Sequence, residues 1–283
     1  MKMGMNLLLW SAFITEEHFP ILADLKQAGF DGVEIPLFDG DANHYKKIRK
    51  ELDQLGLECT TVTCLNPECN PISGDADVRE AGLERIRWAI EMNAILGSKI
   101  LCGPFHSPLA VFTGRGPTDT EKKYAADILR KAAEIASHYK ITLCIEYLNR
   151  FECYFLTTAE DAKALVQTVQ HPNFRAMYDT FHAHIEEKSQ TSAIQTLKDV
   201  VAHVHISEND RGIPGTGQIH WEEVFPNLQE IGYNGYLTIE AFSRALPDLA
   251  AATRVWRDLF PRAEDVYRQG LTFMRNRLEP QKK

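Results

Sequence analysis

The chain has 283 residues, 44% of them hydrophobic and 25% charged, with a formal net charge of −8. That acidic balance argues against a nucleic-acid surface, which shows a basic excess or stripe, and no run of about 18 apolar residues offers a membrane span. The six cysteines form no CxxC, three of them (Cys64, Cys102, Cys144) sit in apolar runs, and the N-terminus carries no secretory signal, so the expectation is a cytoplasmic protein with free thiols.

Short β-rich runs alternate with longer amphipathic stretches along the chain. Met3–Trp10 is the first strand candidate. A helix is expected over Glu16–Ala28, where Phe19, Leu22, Leu25 and Ala28 recur at helical spacing and Gly29 is a stop signal. Strands are expected at Gly32–Leu37, Glu58–Leu65 and Lys99–Pro104, with a helix over Ala81–Leu96 closed by Gly97. Helix Thr120–His138, strand Thr142–Leu148 and helix Thr158–Val169 follow. Strands Arg175–Thr180 and Ala202–Ser207, helix Trp221–Ile231 and strand Tyr236–Phe242 complete the pattern. The tail Leu249–Arg277 carries two more helical stretches around Pro261.

Most of the strand runs are continuously apolar, as strands covered on both faces are. Eight β/α units without a composition break predict one α/β domain over residues 1–283, a single (β/α)8 TIM barrel with extra C-terminal helices from about residue 244. The structural alternative is an open doubly wound sheet. It would want G-x-G-x-x-G after the first strand, and Trp10-Ser11-Ala12-Phe13 has no glycine.

A barrel of this kind performs its chemistry at the C-terminal ends of its strands. Polar residues there stand out in the last four. Strand 5 carries Glu146, strand 6 Asp179 followed by His182, strand 7 His203 and His205, and strand 8 Glu240. A carboxylate in an apolar run must be paired, protonated or bound to a metal. Arg150, Arg175 and Arg211 are too few to neutralise all of them. Three carboxylates and one imidazole suit one divalent ion, Mn²⁺ first, with Mg²⁺ or Co²⁺ as alternatives. The expected ligands are therefore Glu146, Asp179, His205 and Glu240. His203, on the same face as His205, is read as a packed interior residue or a hydrogen-bonding support. The Gly215/Gly217 loop is read as a plain turn rather than a phosphate site. His106, His184 and His220 have no partner that the sequence names.

At these residues the chain resembles the xylose isomerase-like sugar isomerase/epimerase barrels, and among them the D-tagatose 3-epimerase and D-psicose (allulose) 3-epimerase group. The resemblance runs from about Gly4 to Phe242. It rests on Ile145-Glu146 with Asn149-Arg150-Phe151-Glu152, on Tyr178-Asp179-Thr180-Phe181-His182, and on His203-Val204-His205 with Glu208-Asn209 and Arg211. Pro214-Gly215-Thr216-Gly217 and Ile231-Gly232-Tyr233-Asn234-Gly235 before Glu240 complete it. It implies a metal-dependent ketose 3-epimerase that moves a proton at C3 through an enediolate. Glu146 and Glu240 would be the acid/base pair, and Glu152, His182 and Arg211 would bind sugar hydroxyls. It also implies a homodimer or homotetramer. The start Asn6-Leu7-Leu8-Leu9-Trp10 is more aliphatic than this group's, so the resemblance speaks to the chemistry more than to the sugar. Other readings on the same frame are an aldose–ketose isomerase, a hydroxypyruvate-type isomerase and an inosose dehydratase. More distant ones are a DNA-repair endonuclease of the related barrel family and a non-catalytic sugar-binding barrel.

Overall fold

A computed structural model describes residues 1–279. Eight parallel strands close into one barrel in sequence order: β1 (Lys2–Asn6), β2 (Gly32–Pro36), β3 (Glu58–Val62), β4 (Ile100–Gly103), β5 (Thr142–Ile145), β6 (Phe174–Asp179), β7 (Val201–Ile206) and β8 (Tyr236–Ile239). β8 pairs back onto β1, with Met5 registered against Ile239. The open-sheet alternative is thereby excluded.

Ten α-helices surround the barrel among the described residues. They are α1 (Phe19–Ala28), α2 (Ala42–Leu55), α3 (Ala76–Leu96), α4 (Asp119–His138) and α5 (Ala159–Val169), then α6 (Thr180–Glu186), α7 (Gln190–Leu197), α8 (Trp221–Glu230), α9 (Pro247–Thr253) and α10 (Ala263–Leu278). Their starts follow local chemistry. The Thr118 hydroxyl accepts from the Glu121 N–H at the head of α4, while the Glu121 carboxylate accepts from the Thr118 N–H, so two orphan donors are satisfied reciprocally. Gly56 and Gly97, both at positive φ, end α2 and α3.

Alternation along the strands sorts side chains into two environments. Val33, Ile35, Leu143, Ile145, Val204, Ile206, Leu237 and Ile239 face the helices and belong to the main core. Residues of the other parity (Asn6, Glu34, Thr60, Cys102, Cys144, Asp179, His203, His205, Thr238) fill the barrel interior, and all are buried. The apolar interior members Val62, Cys102, Cys144 and Met177 form a second, smaller cluster with Leu8 and Phe242.

Several expected boundaries need correction. The strand expected over Met3–Trp10 ends at Asn6, because the Asn6 side chain accepts from the Leu8 N–H and turns Leu7–Leu9 into a 3-10 helix. The runs to Leu65, Pro104, Leu148 and Phe242 overshoot for a shared reason. Apolar residues continue past the last sheet pairing into buried loops, as Leu65, Leu148 and Phe242 do. The helix expected from Glu16 begins at Phe19, after a 3-10 turn over Glu16–His18, and the helix expected from Ala81 begins earlier, at Ala76. Helices α2, α6 and α7 carry no sequence expectation. The first is mostly polar, and the others are only 7 and 8 residues long. The tail is helical in two pieces, as expected, with α9 starting at Pro247. The six cysteines are free thiols. No helix among the described residues is long and apolar enough to cross a membrane.

Candidate active site

The four expected ligands meet at one end of the barrel. Asp179 closes β6, His205 is the penultimate residue of β7, and Glu146 and Glu240 lie one residue beyond β5 and β8. Register brings them together. Asp179 stands opposite His205, and His205 opposite Thr238, two residues before Glu240 on the same face. One ligand atom from each of the four lies within 4.8 Å of all the others.

His205 shows the direction of the site. Its Nε2 lies 2.7 Å from Glu34 Oε1, on β2. Its Nδ1 faces Glu240 Oε1 at 3.3 Å and Asp179 Oδ2 at 3.7 Å, is fully buried, and has no hydrogen-bond partner among the described residues. A carboxylate on one nitrogen of a histidine, with the other nitrogen turned toward further carboxylates, is the arrangement of a metal-ligating imidazole. Glu34 is itself held by Asn6 Nδ2 at 2.9 Å and Thr60 Oγ1 at 2.9 Å, and it lies 2.7 Å from His203 Nε2. His203 is therefore both an interior residue and part of this polar network.

The electrostatics call for a cation. Burial raises the Glu146 carboxyl well above its ordinary range, and the neighbouring charge of Glu240 adds to the effect. Asp179 is buried too, yet Arg211 and His205 hold its carboxyl below the usual range. Burial opposes a charged His205, but Glu34 and Glu240 outweigh it and push the imidazole upward. When all three are ionised, Glu146, Asp179 and Glu240 carry three negative charges against the one buried guanidinium of Arg211, which pairs with Asp179 and Glu240 alone, while His205 is matched by Glu34. A divalent ion fits the donor set, the unpartnered Nδ1 and the charge deficit together.

Arg211 is buried, not a surface cation. Its Nη1 donates to Glu240 Oε2 at 2.8 Å and to Asp179 Oδ2 at 3.2 Å, and its guanidinium stacks 3.7 Å over the Phe181 ring. Its Nη2 lies 3.1 Å from His182 Nε2. His182 Nδ1 accepts from the Asn149 backbone N–H and side-chain amide, both at 3.0 Å. Burial lowers the His182 pKa, and with Nδ1 accepting, a neutral ring would carry its proton on Nε2. That nitrogen faces Arg211 Nη2 at 3.1 Å and Glu146 Oε1 at 3.7 Å, so His182 and Arg211 border the place a substrate oxygen would take. Glu152, half-buried, accepts from Asn149 Nδ2 at 2.8 Å.

A cavity of about 280 Å³ opens over this group. Glu146, Glu240, His182, Arg211 and Glu152 line its polar side, and Leu8, Phe38, Val62, Leu109, Leu249 and Phe242 its apolar side. Every expected acid/base and sugar-binding residue thus borders one cavity. Of the remaining histidines, His106 is buried with Nδ1 2.8 Å from Ser107 Oγ, and His184 and His220 lie near each other with ring centroids 6.3 Å apart.

A model of the xylose isomerase-like TIM barrel matches residues 22–277. The chain belongs to the xylose isomerase-like TIM barrel family. Within that family it is 30% identical over 285 residues to a ketose 3-epimerase of Arthrobacter globiformis, covering 98% of this chain and 97% of that protein. It is 32% identical over 266 residues to a D-psicose 3-epimerase of Agrobacterium fabrum, covering 92% and 91%. The crystal structure of a D-psicose 3-epimerase of Clostridium cellulolyticum H10 with D-tagatose superposes with a TM-score of 0.91 at 28% identity, covering 99% of this chain and 100% of that one.

Three supporting residues escaped the sequence reading of this family member. Glu34 sits in the run Gly32-Val33-Glu34-Ile35-Pro36 and gives the same signal as Glu146, a charge inside an apolar strand. Asn149 lies inside the motif beside Glu152 but earned no role of its own, and Asn6 gives no signal before β1 and β2 are known to pair.

Proposed function

We propose that this protein is a metal-dependent ketose 3-epimerase acting on a free ketose of the D-tagatose, D-psicose or L-ribulose type. One observation carries the reading. Two glutamates, from strands three apart around the barrel, border one cavity and share a buried cluster with Asp179 and His205. Glu146, Asp179, His205 and Glu240 would hold one divalent ion, Mn²⁺ first, with Mg²⁺ or Co²⁺ as alternatives. When bound, that ion supplies Lewis-acid stabilisation of negative charge on the sugar oxygens.

The chain's own residues account for the proton. A ketose C3–H is acidic because the C2 carbonyl takes up the charge, and its removal leaves an enediolate across O2 and O3. Epimerisation takes the proton from one face and returns one to the other. Glu146 and Glu240 divide that work, one as base and one as acid, so neither has to cross the sugar plane. A positioned base of this kind contributes about 10²–10⁴-fold. His182 and Arg211 border the oxygen on which charge develops, and Glu152 accepts from a hydroxyl. With no phosphate on the substrate, the cavity's aliphatic wall meets the sugar's far end.

We further propose that residues 1–283 work as one catalytic domain, that the protein acts in the cytoplasm with its thiols reduced, and that it assembles as a homodimer or homotetramer. No membrane or nucleic-acid partner is part of this reading, in keeping with the net charge of −8.

The test is turnover in D₂O. Chelated protein, with and without Mn²⁺, is offered D-fructose, D-psicose, D-tagatose and L-ribulose, and NMR reads the product. The expected result is C3-inverted ketose with deuterium at C3, abolished in Glu146→Gln and Glu240→Gln. An aldose product with deuterium at C2, or deuterium at C1, would make the enzyme an isomerase instead. Absence of Mn²⁺ binding would overturn the metal site.

A further inference from the structure

Glu208 lies two residues beyond β7, and none of its surface is exposed. Among the described residues, its hydrogen-bonding partners include no cation. Its carboxylate instead accepts from four neutral N–H groups. Oε1 takes those of Asn209 at 3.0 Å and Ile219 at 3.2 Å, and Oε2 takes Gly215 at 2.8 Å and the Trp221 indole at 3.2 Å. All four donors lie between Asn209 and Trp221, the connection that leads from β7 into α8. Asn209 reinforces the knot, since its Oδ1 accepts from the Gln218 N–H at 2.7 Å. Gly217 is required by this crowding, because a Cβ there would lie 2.5 Å from Glu208 Oε1.

The same connection carries Arg211. Its backbone is left-handed, φ 65°, a conformation that L-residues with a side chain adopt only where the surroundings impose it. Its N–H donates to the Glu208 carbonyl at 2.9 Å, and its carbonyl accepts from the Phe242 N–H at 3.1 Å. From this pose the guanidinium reaches Asp179, Glu240 and His182 together.

We propose that Glu208 is a positioning residue. It ties the 209–221 connection into one shape and so fixes the Arg211 guanidinium over the reacting end of the sugar. The kinetic part of this proposal rests on the epimerase reading. The geometry also bears on the ligand. The Gly215 and Ile219 amides, which a phosphate would need in order to bind at this glycine-rich turn, are already engaged by an internal carboxylate.

The decisive variant is Glu208→Gln, whose amide keeps the size but sets an N–H₂ against N–H donors. Misplacement of this order costs up to about 100-fold in rate. The expected result is folded, Mn²⁺-binding protein with kcat/KM lowered roughly 10- to 100-fold, and no further loss when the substitution is made in an Arg211→Ala background. Full activity in folded Glu208→Gln, or an equal loss in the Arg211→Ala background, overturns the proposal. If Glu208→Gln does not fold, Trp221→Phe removes the indole donor while leaving a cavity beside Phe225 and Phe273, and the same double-mutant comparison, made against the Arg211→Ala background, decides. Should the wild type epimerise no ketose, the epimerase reading fails by itself. Amide hydrogen exchange then decides on Glu208: faster exchange confined to 209–221 in Glu208→Gln supports the anchor, and unchanged exchange refutes it.

Discussion

His205 has two nitrogens with opposite tasks, and Glu34 assigns them. With Nε2 2.7 Å from the Glu34 carboxylate, the Nδ1 lone pair would be the one offered to an ion shared with the three carboxylates. Glu34→Gln would present an amide where the charge stood, weaken that assignment and favour the wrong tautomer. The expected outcome is a 10- to 100-fold loss of Mn²⁺ affinity, on the order usual for such supporting partners, with the fold intact. Isothermal titration calorimetry measures it, and an unchanged affinity would show that Glu34 does not tune the ligand. At this scale the sequence was legible where burial of a charge is expensive. Glu146, Asp179, His205 and Glu240 each interrupt or close an apolar run, and all four meet. Glu34 interrupts one as plainly, but it lies in the first half of the chain, far in sequence from the four expected ligands. Only barrel closure brings β2 across from β7. Asn6 and Asn149 are uncharged, cost less to bury, and so leave no comparable mark.

Elements set the angle at which these side chains arrive. Gly103, the last residue of β4, has φ 122°, and a Cβ there would collide with the Thr63 carbonyl. This is where β3 and β4 hand over to their loops, and the Gly103 carbonyl accepts from the Glu146 N–H at 3.1 Å. Gly103→Ala is expected to cost at least about 2 kcal/mol, combining a disallowed backbone with a backbone clash. Urea unfolding would register it as a lower midpoint; a midpoint equal to wild type would mean the backbone relaxes freely. Strand ends were the least legible feature of the sequence. Apolar residues such as Leu148 and Phe242 continue beyond the pairing because the loops above the barrel are buried as well. Hydropathy cannot separate a strand from a buried loop that follows it. Short helices such as α6 and α7 offer too few turns for a periodicity to emerge.

For the molecule as a whole, the proposed metal site would couple function to stability. The three carboxylates repel one another in the folded chain and not in the unfolded one, so an ion bound only by the native state stabilises it by mass action. At 100 times its dissociation constant the gain is about 2.7 kcal/mol. Chelation is thus expected to lower Tm by about 4–5 °C for a chain of this size. Differential scanning calorimetry with and without EDTA checks this, and an identical Tm would count against a native-state metal site. Eight repeating units made the architecture legible from the sequence. The association of copies was not, because it depends on surface shape. Phe13, Phe112, Tyr139, Phe151 and Trp256, the large hydrophobics exposed on the described surface, are far apart in sequence and form no pattern there.

The cavity has two unlike walls: the five polar residues named above all come from the second half of the chain, while the apolar side draws on both halves. Leu8, Ala12, Phe38, Val62 and Cys64 belong to β1–β3 and the loops that follow, whereas Glu146, His182, Arg211 and Glu240 follow β5–β8. Substitutions that recontour the N-terminal part of the apolar side leave Glu146 and Glu240 in place, so under the proposed reading the preference among sugars can drift over generations while the reaction is kept. A laboratory could follow the same route. Libraries restricted to the N-terminal wall would sample new ketoses on an unchanged catalytic floor.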